Sequence, residues 1–408
     1  GAMTSGELSL TRRAVLAGAA GLTLAGCADA PGEAPAGSSP TASGSAKPAA
    51  TGAATGPTAT PVATLGTAHG LTSMWPNEPL DIGVEHGTIA EVKVTNQATG
   101  ERYPGKVEGN QWRPDRGALH LNSTYRIEVT VHDGNKQPHV STAEATTVNP
   151  GTVVEVDCRF AGEEIGNGMP IWVRFDLPIR EDQRAAIERT ASITTSPEQE
   201  GAWGWFDSNT LWWRPKEYWR PGSTAHVEVK AAGQPGDDTW IANDAVGEYR
   251  FGDLRVLQTN IDAHTTTCLR NGEVVKVLAV STGKPGYETM TGTKLIMQKD
   301  FKTVMDSASY GVNDGPESYR LEVYYAQRIT WSGEYFHAAP WADASHGNNN
   351  VSHGCTGMSD SDAEWLFGFT QVGDPAEFTG STFGVQPQQT WGCWVYSWQD
   401  WQSQSALG

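Results

Sequence analysis

The chain has 408 residues, a formal net charge of −18 at pH 7, and 46 glycines and 23 prolines. That length exceeds one typical domain and predicts roughly two to four units. No basic stripe is present to neutralise phosphates, so the acidic balance excludes a general nucleic-acid binder. An apolar share of 38% suffices for packed cores. Glycine, proline and short alternating apolar runs favour β-structure over helical bundles.

At the start, Gly1-Ala2-Met3 reads as a cloning remnant ahead of a start at Met3. Arg12-Arg13 then precede an apolar run over residues 14–25. The run is too short for an ordinary membrane span. It fits the core of an export signal, and the paired arginines permit the twin-arginine route. Leu24-Ala25-Gly26-Cys27 resembles a bacterial lipobox. That resemblance implies lipidation of Cys27 and a protein exported to the periplasmic or wall side, anchored to the membrane by its lipid. A cleaved signal with a chance cysteine is the alternative. Residues 28–60 are rich in Ala, Pro, Gly, Ser and Thr. They cannot bury enough surface to fold. As a coil of about 35 residues they would span roughly 30–35 Å and lift the rest off the membrane.

Next comes a repeat. Trp112-Arg113-Pro114 precedes the alternating segment Thr124-Tyr125-Arg126-Ile127-Glu128-Val129, and Trp213-Arg214-Pro215 precedes Thr224-Ala225-His226-Val227-Glu228-Val229. Both alternating segments have the strand period. The interval predicts two immunoglobulin-like β-sandwich domains, over 61–149 and 150–252, acting as spacers. Trp203, Trp205, Trp212 and Trp213 are expected in the sandwich core, with a sugar-stacking surface as the alternative.

Residues 253–378 carry the chemistry. Strands are predicted over 274–281, 294–297, 320–325 and 334–337, and a helix over Asp360–Phe369 capped by Ser359 or Asp360. Ser352-His353-Gly354-Cys355 stands just before that helix, with Cys355 18 positions after His337. A cysteine flanked by glycine, with one histidine beside it and one upstream, holds the ingredients of a nucleophile and its base. Gly354 would let the backbone turn sharply. The entering helix would favour negative charge on a thiolate or oxyanion. A buried free cysteine beside two ordinary histidines is the plain alternative. His337, His346, His353 and Cys355 can be drawn as a zinc set, but their spacing fits no compact zinc signature, so no metal is expected.

These motifs, with Ser281-Thr282-Gly283-Lys284, Thr291-Gly292, Tyr319-Arg320, Trp331-Ser332-Gly333 and Ala339-Pro340-Trp341, resemble the catalytic domain of the L,D-transpeptidases, the YkuD family, in its multidomain actinobacterial form. The resemblance implies a mainly β fold, with two sandwiches followed by a β-rich catalytic domain. It implies Cys355 as nucleophile, His337 as base and His353 as a neighbour that tunes the thiol or positions the acyl group. Tyr319 would border the acyl site, Ser332 and Gly333 would hold the donor peptide, and the Gly354 and Cys355 amides would hold the oxyanion. The implied reaction joins donor and acceptor stem peptides of peptidoglycan by 3→3 cross-links, without a cofactor, and carbapenems would be covalent inhibitors. An L,D-carboxypeptidase with the same nucleophile, or a weakly active wall-binding lipoprotein, are the alternatives.

The chain departs from the family pattern in places. Gly357 stands where the family commonly has Asn, removing an amide donor. Slower acylation by bulky β-lactams is therefore expected, with Gly357→Asn restoring speed. Ala338 replaces a serine, and Tyr287-Glu288-Thr289-Met290 replaces a Pro-Thr-Pro run. The polar residues 342–350 form either a lid over the site or an ordinary solvated connection. The state of Cys158, Cys268 and Cys393 is open in an exported setting. Residues 379–408 carry Trp391, Trp394, Trp398 and Trp401, spaced like one helix face, and are expected to dock on the catalytic domain.

Overall fold

The computed structural model describes residues 59–408 apart from 116, 237–238 and 311–312, together with Leu22–Thr23. The lipobox at residues 24–27 and residues 28–58 of the linker lie outside the described residues. The described chain forms two compact units, one ending at Val153 and taking in residues 237–240, the other holding 154–236 and 241–408.

The first unit is a sandwich. Strands Val62–Gly66, Leu80–Glu85, Gln111–Pro114 and Gly105–Glu108 follow one another in one sheet. Arg102–Tyr103, Thr88–Asn96, Thr124–His132 and Pro138–Thr146 make the other. Along Thr124–His132 every second residue, Tyr125, Ile127, Val129 and Val131, is buried. That is the period of a strand with one face on a core.

The second unit opens with a second sandwich. One sheet runs Val156–Arg159, Ile171–Phe175, Thr210–Pro215, Gly201–Trp205, and the other Glu164–Ile165, Ala245–Phe251, Thr224–Val229, Ala191–Ser196. The repeated motifs fall at matching places: each Trp-Arg-Pro ends a strand of one sheet, and each alternating segment is a strand of the other. Trp205, Trp212 and Trp213 are buried in one apolar cluster, with Trp203 packed against it. These indoles are core.

The catalytic domain completes this unit with two sheets. The first runs Glu273–Ala279, Thr265–Arg270, Arg255–Asn260, Pro375–Thr379, Gly292–Leu295. The second runs Gln298–Asp306, Arg320–Arg328, Tyr335–Ala338, Thr356–Met358. Between them lie Leu257, Leu278, Phe336, Met358, Leu366 and Phe378. Helix Asp360–Phe369 is capped by Ser359, whose Oγ accepts from the Asp362 amide at 3.2 Å. Sandwich and catalytic domain meet backbone to backbone. Gly166 N–H donates to Val372 O at 2.8 Å and Gly168 N–H to Gly373 O at 3.0 Å. A Cβ at Gly166 would lie 2.1 Å from the Asp374 nitrogen, so only glycine permits this approach.

The tail differs from expectation. It holds a 3-10 turn, Gly392–Trp394, and a short helix, Trp398–Gln402, rather than one continuous helix. Residues 383–389 lie on the catalytic domain, where Thr291 N–H donates to Phe383 O at 2.7 Å and Trp331 N–H to Gln389 O at 2.7 Å. The tryptophans, however, join the second sandwich. Trp391 and Trp401 are buried in its core cluster, and Trp394 and Trp398 pack against it. The cause is Arg214, a buried cation of that sandwich. Its Nη1 donates to the Cys393 and Tyr396 carbonyls at 2.6 and 3.3 Å, and its guanidinium lies 4.2 Å from the Trp394 ring and 5.4 Å from Trp398. The carbonyls left over where the tail breaks find their donor there, so the rings gather around a charge instead of along a helix. Cys158, Cys268, Cys355 and Cys393 are all free thiols.

Arg214→Ala removes the donor of two enclosed carbonyls and the cation facing the rings. Unfolding free energy in urea should fall by about 2–4 kcal/mol. A loss under about 0.5 kcal/mol, the size of an ordinary surface change, would show that the tail needs no such anchor.

Candidate active site

The strand Tyr335–Ala338 pairs in parallel with Thr356–Met358, in a register that sets His337 opposite Gly357. Cys355 therefore enters the sheet edge beside the histidine strand. The loop before it is tied at several points. Ser352 N–H donates to Thr282 O at 3.1 Å, and Lys284 N–H donates to Ser352 O at 3.0 Å. Ser352 Oγ accepts from Gly354 N–H at 3.1 Å and donates to Cys355 O at 2.7 Å. Thr289 Oγ1 accepts from Gly283 N–H at 2.9 Å and donates to Gly354 O at 2.7 Å. Gly354 has φ of +124°, a backbone that side-chain-bearing residues rarely adopt. The Gly354 amide is thus engaged with Ser352, which removes it from the expected set of oxyanion donors in this state.

Cys355, His337, His353 and Tyr319 line one cavity of about 380 Å³. Ser332, Gly333 and Gly354 line an adjoining one of about 300 Å³, with Tyr319 and His353 shared between the two. The Cys355 thiol donates to Gly333 O at 3.4 Å. Burial pushes this thiol up to about 12, although an amide contact from Tyr335 opposes the shift. His337 is held below its ordinary value, again by burial first. Its Nδ1–H donates to the Ala338 carbonyl at 2.7 Å, so in the neutral ring Nε2 is the basic nitrogen. The ring is thus oriented by the Ala338 carbonyl, which needs no hydroxyl at that position. At rest the pair is a neutral thiol and a neutral imidazole.

The expected help from the helix is not there. Strand Thr356–Met358 separates Cys355 from helix Asp360–Phe369, and Asp360 and Asp362 occupy its first turn. A helix dipole acts within its first turn, so it does not reach the thiol.

His353 faces elsewhere. Its Nε2 pairs with Glu317 Oε2 at 2.5 Å, and Lys284 Nζ reaches the same oxygen at 2.6 Å. Lys284 first, then His353, holds the Glu317 carboxyl below its ordinary range. The Tyr319 and Tyr287 rings pack on His353 at 5.0 and 4.7 Å. Among the described residues no hydrogen bond links His353 to the thiol, and no group of three His, Cys, Asp or Glu side chains is arranged to hold a metal.

Three features of the site were not marked as such by the sequence, in which His346 stood only among possible zinc ligands. Lys294 and Glu334, both buried, form an ion pair behind the nucleophile loop, and Glu334 Oε1 also accepts from Met290 N–H at 2.8 Å. Thr289 is the second, a single hydroxyl bridging two loops. His346 is the third; it lines the same cavity as His337 and Cys355. Lys294 pairs with Glu334 40 residues on, and Thr289 reaches Gly354 65 residues on, so neither contact has a local pattern.

Gly357 corrects an expectation. Its N–H donates to Ser281 O at 2.8 Å and its carbonyl accepts from Ser281 N–H at 2.9 Å. A Cβ there would stand 2.9 Å from Ala339 Cβ, an atom fixed by its own backbone. An asparagine at 357 therefore meets a clash before it can offer a donor. Gly357→Asn should lower stability by about 1–3 kcal/mol in urea unfolding, and Ala339→Gly should recover most of that loss. An Asn variant as stable as the parent would show that the site has more slack than these contacts allow.

Comparison with known proteins bears on these residues. The model of the L,D-transpeptidase catalytic domain (YkuD) matches residues 254–377, and that of a bacterial Ig domain (Big_10) matches residues 72–235. L,D-transpeptidase 2 of Mycobacterium tuberculosis is 29% identical, with 84% of this chain and 84% of that protein covered. L,D-transpeptidase 1 of the same organism is 35% identical, covering 59% of this chain and 90% of that protein. A solved LD transpeptidase in complex with imipenem is 36% identical over 54% of this chain and 96% of that one, with a TM-score of 0.48. With 35% identity sustained over 90% of a relative, the chain belongs to the L,D-transpeptidase family.

Proposed function

We propose that this chain is a peptidoglycan L,D-transpeptidase that works through a Cys355 acyl-enzyme and forms 3→3 cross-links. The observation that carries the reading is that Cys355 and His337 face one cavity, with His337 Nδ1–H donated to Ala338 O. A buried thiol does not ionise alone near neutral pH. Attack is therefore coupled to proton transfer. His337 Nε2 takes the thiol proton as Sγ bonds to the carbonyl carbon of the donor's diaminopimelate. The C–N bond to the terminal D-Ala breaks, and the imidazolium returns the proton to the leaving amine. The thioester carbon is then attacked by an amine of a second stem; His337 Nε2 takes the amine proton and returns it to Sγ as the C–S bond breaks.

The two adjoining cavities suit a two-substrate reaction. The one lined by Ser332 and Gly333 suits the donor chain, and the one reached past Trp341 suits the acceptor. Tyr319, on both, sits where the acyl group is made. Since a 36% identical relative was solved with imipenem, covalent capture of a carbapenem is the expected signature. Mass spectrometry of purified tetrapeptide muropeptides separates the readings. A cross-linked dimer is expected; trimmed tripeptide alone would make the chain a carboxypeptidase, and unchanged substrate a non-catalytic wall protein. Cys355→Ala should abolish both dimer and carbapenem adduct. An adduct on that variant, seen by intact mass, would remove Cys355 from the mechanism.

We also place the protein on the outer side of the cell membrane, held by lipid on Cys27. The motif Leu24-Ala25-Gly26-Cys27 supports this. In a cell that processes lipoproteins, Cys27→Ala should move the protein from the detergent extract to the soluble or unprocessed pool. Unchanged partition would refute the anchor.

A further inference from the structure

His346 poses a question that the two-residue mechanism does not answer. It follows the 3-10 turn Pro340–Ser345, and its side chain is 6% exposed. Its Nδ1 lies 3.4 Å from Asp343 Oδ1. Its Nε2 is shut off from solvent and has no hydrogen-bond partner. A buried polar atom without a partner is rare in folded proteins and calls for a reason. The direction of the ring supplies one. Nε2 points at Gly357, 3.8 Å from where a Cβ would be. Ala339 Cβ stands 2.9 Å from that same point, and His346 and Gly357 line the cavity that also holds Cys355.

The ring's tautomer limits what it binds. A neutral imidazole with Nδ1 turned to a carboxylate carries its proton there, which leaves a lone pair on Nε2. Such a nitrogen accepts a hydrogen bond and donates none. A substrate carbonyl or carboxylate is therefore the wrong partner, and an N–H is the right one. Burial holds this imidazole below its ordinary value, with Asp343 and Asp362 opposing the shift, so the neutral ring is the form that meets a ligand. The only N–H group that this reaction must bring to the thioester from outside is the amine of the acceptor.

We propose that His346 binds the acceptor: Nε2 accepts an N–H from the primary amine that attacks the Cys355 thioester, in the cavity that both residues line. The proposal rests on the transpeptidase reading above. Holding the amine by one N–H orients its lone pair and raises its local concentration against water. At rest the nitrogen is closed off, and the turn Pro340–Ser345 gives way as the acceptor enters.

The test uses the full chain with tetrapeptide donor, a stem-peptide acceptor amine, and a carbapenem as separate probe of acylation. His346→Phe should raise the acceptor KM by roughly two- to tenfold, the worth of one hydrogen bond, and shift product from cross-linked dimer to trimmed tripeptide. His346→Gln, whose carbonyl accepts in nearly the same place, should restore the dimer. An unchanged product ratio in His346→Phe overturns the proposal. So does equal loss of dimer and carbapenem adduct in both variants, which would mark His346 as structural. Failure of the unaltered protein to capture carbapenem would instead overturn the transpeptidase reading, and this proposal with it.

Discussion

The site depends on one parallel strand pair. Tyr335–Ala338 and Thr356–Met358 run side by side in the same direction, whereas the other pairings in that sheet are antiparallel. Antiparallel neighbours can be joined by a two-residue turn, but parallel neighbours need a crossover of about a dozen residues or more. The 17 residues from Ala339 to Cys355 are that crossover. The separation of His337 and Cys355 by 18 positions is thus the length the topology requires. The crossover must also pass over the end of the sheet where the two residues meet. Its path is fixed by Asn350, which accepts from Thr282 N–H at 3.0 Å and donates to Ile261 O at 3.3 Å, and by Gly347 N–H donating to Val280 O at 3.0 Å. A connection pinned this way over a cavity is a roof, so the polar stretch at 342–350 is more than a solvated link.

Burial sets the electrostatics beneath that roof. Both reacting groups are pushed toward their neutral forms, the thiol upward and the imidazole downward. Charge is therefore created during attack rather than stored beforehand. Of the stored charges that act on the thiol, Glu334 raises it while Arg328 and Lys294 lower it, and Lys294 and Glu334 are themselves paired. Their larger effect is mechanical. Glu334 also holds the Met290 amide, and Thr289 next to it holds Gly354 O. The run Tyr287-Glu288-Thr289-Met290 thus clamps the nucleophile loop by hydrogen bonds, where a proline-containing run would stiffen the chain by covalent restraint.

Local signals in the sequence were readable, and distant ones were not. Ser352-His353-Gly354-Cys355 and His337 named the cavity, Ser359 named the helix start, and the Trp-Arg-Pro repeat named two matching strands. Each of these is written in a few adjacent residues. Lys294 and Glu334 are 40 residues apart, and Arg214 is 179 residues from the Cys393 carbonyl it holds. A lone lysine in a strand, or an arginine after two tryptophans, carries no mark of its partner. The tail misled for the same reason. Its tryptophan spacing suits a helix face, but the spacing is silent about a cation arriving from another sheet. The helix dipole misled differently: the helix start at Asp360 was legible, but the strand Thr356–Met358 that sets it apart from Cys355 was not.

The same long-range contacts tie the second sandwich to the chemistry. Arg214 fixes the Cys393 and Tyr396 carbonyls, and the chain just before them places Gln389 O against Trp331 N–H. Trp331 leads through Ser332 to Gly333, whose carbonyl receives the Cys355 thiol. Gly333 itself sits at φ of +98°, and Thr330 O accepts its N–H at 3.3 Å. A glycine-containing turn of this kind is free to move unless something outside it holds the ends. The tail holds one end, and strand Tyr335–Ala338 holds the other. Burying aromatic rings around a single guanidinium is an expensive way to attach a tail, and a plain apolar patch would serve if attachment were the only need. A directional cation does more, because it fixes where the carbonyls lie and so where Gln389 meets Trp331. The second sandwich is thus linked by contacts, through Arg214, the tail and Trp331, to the turn whose Gly333 carbonyl faces the thiol.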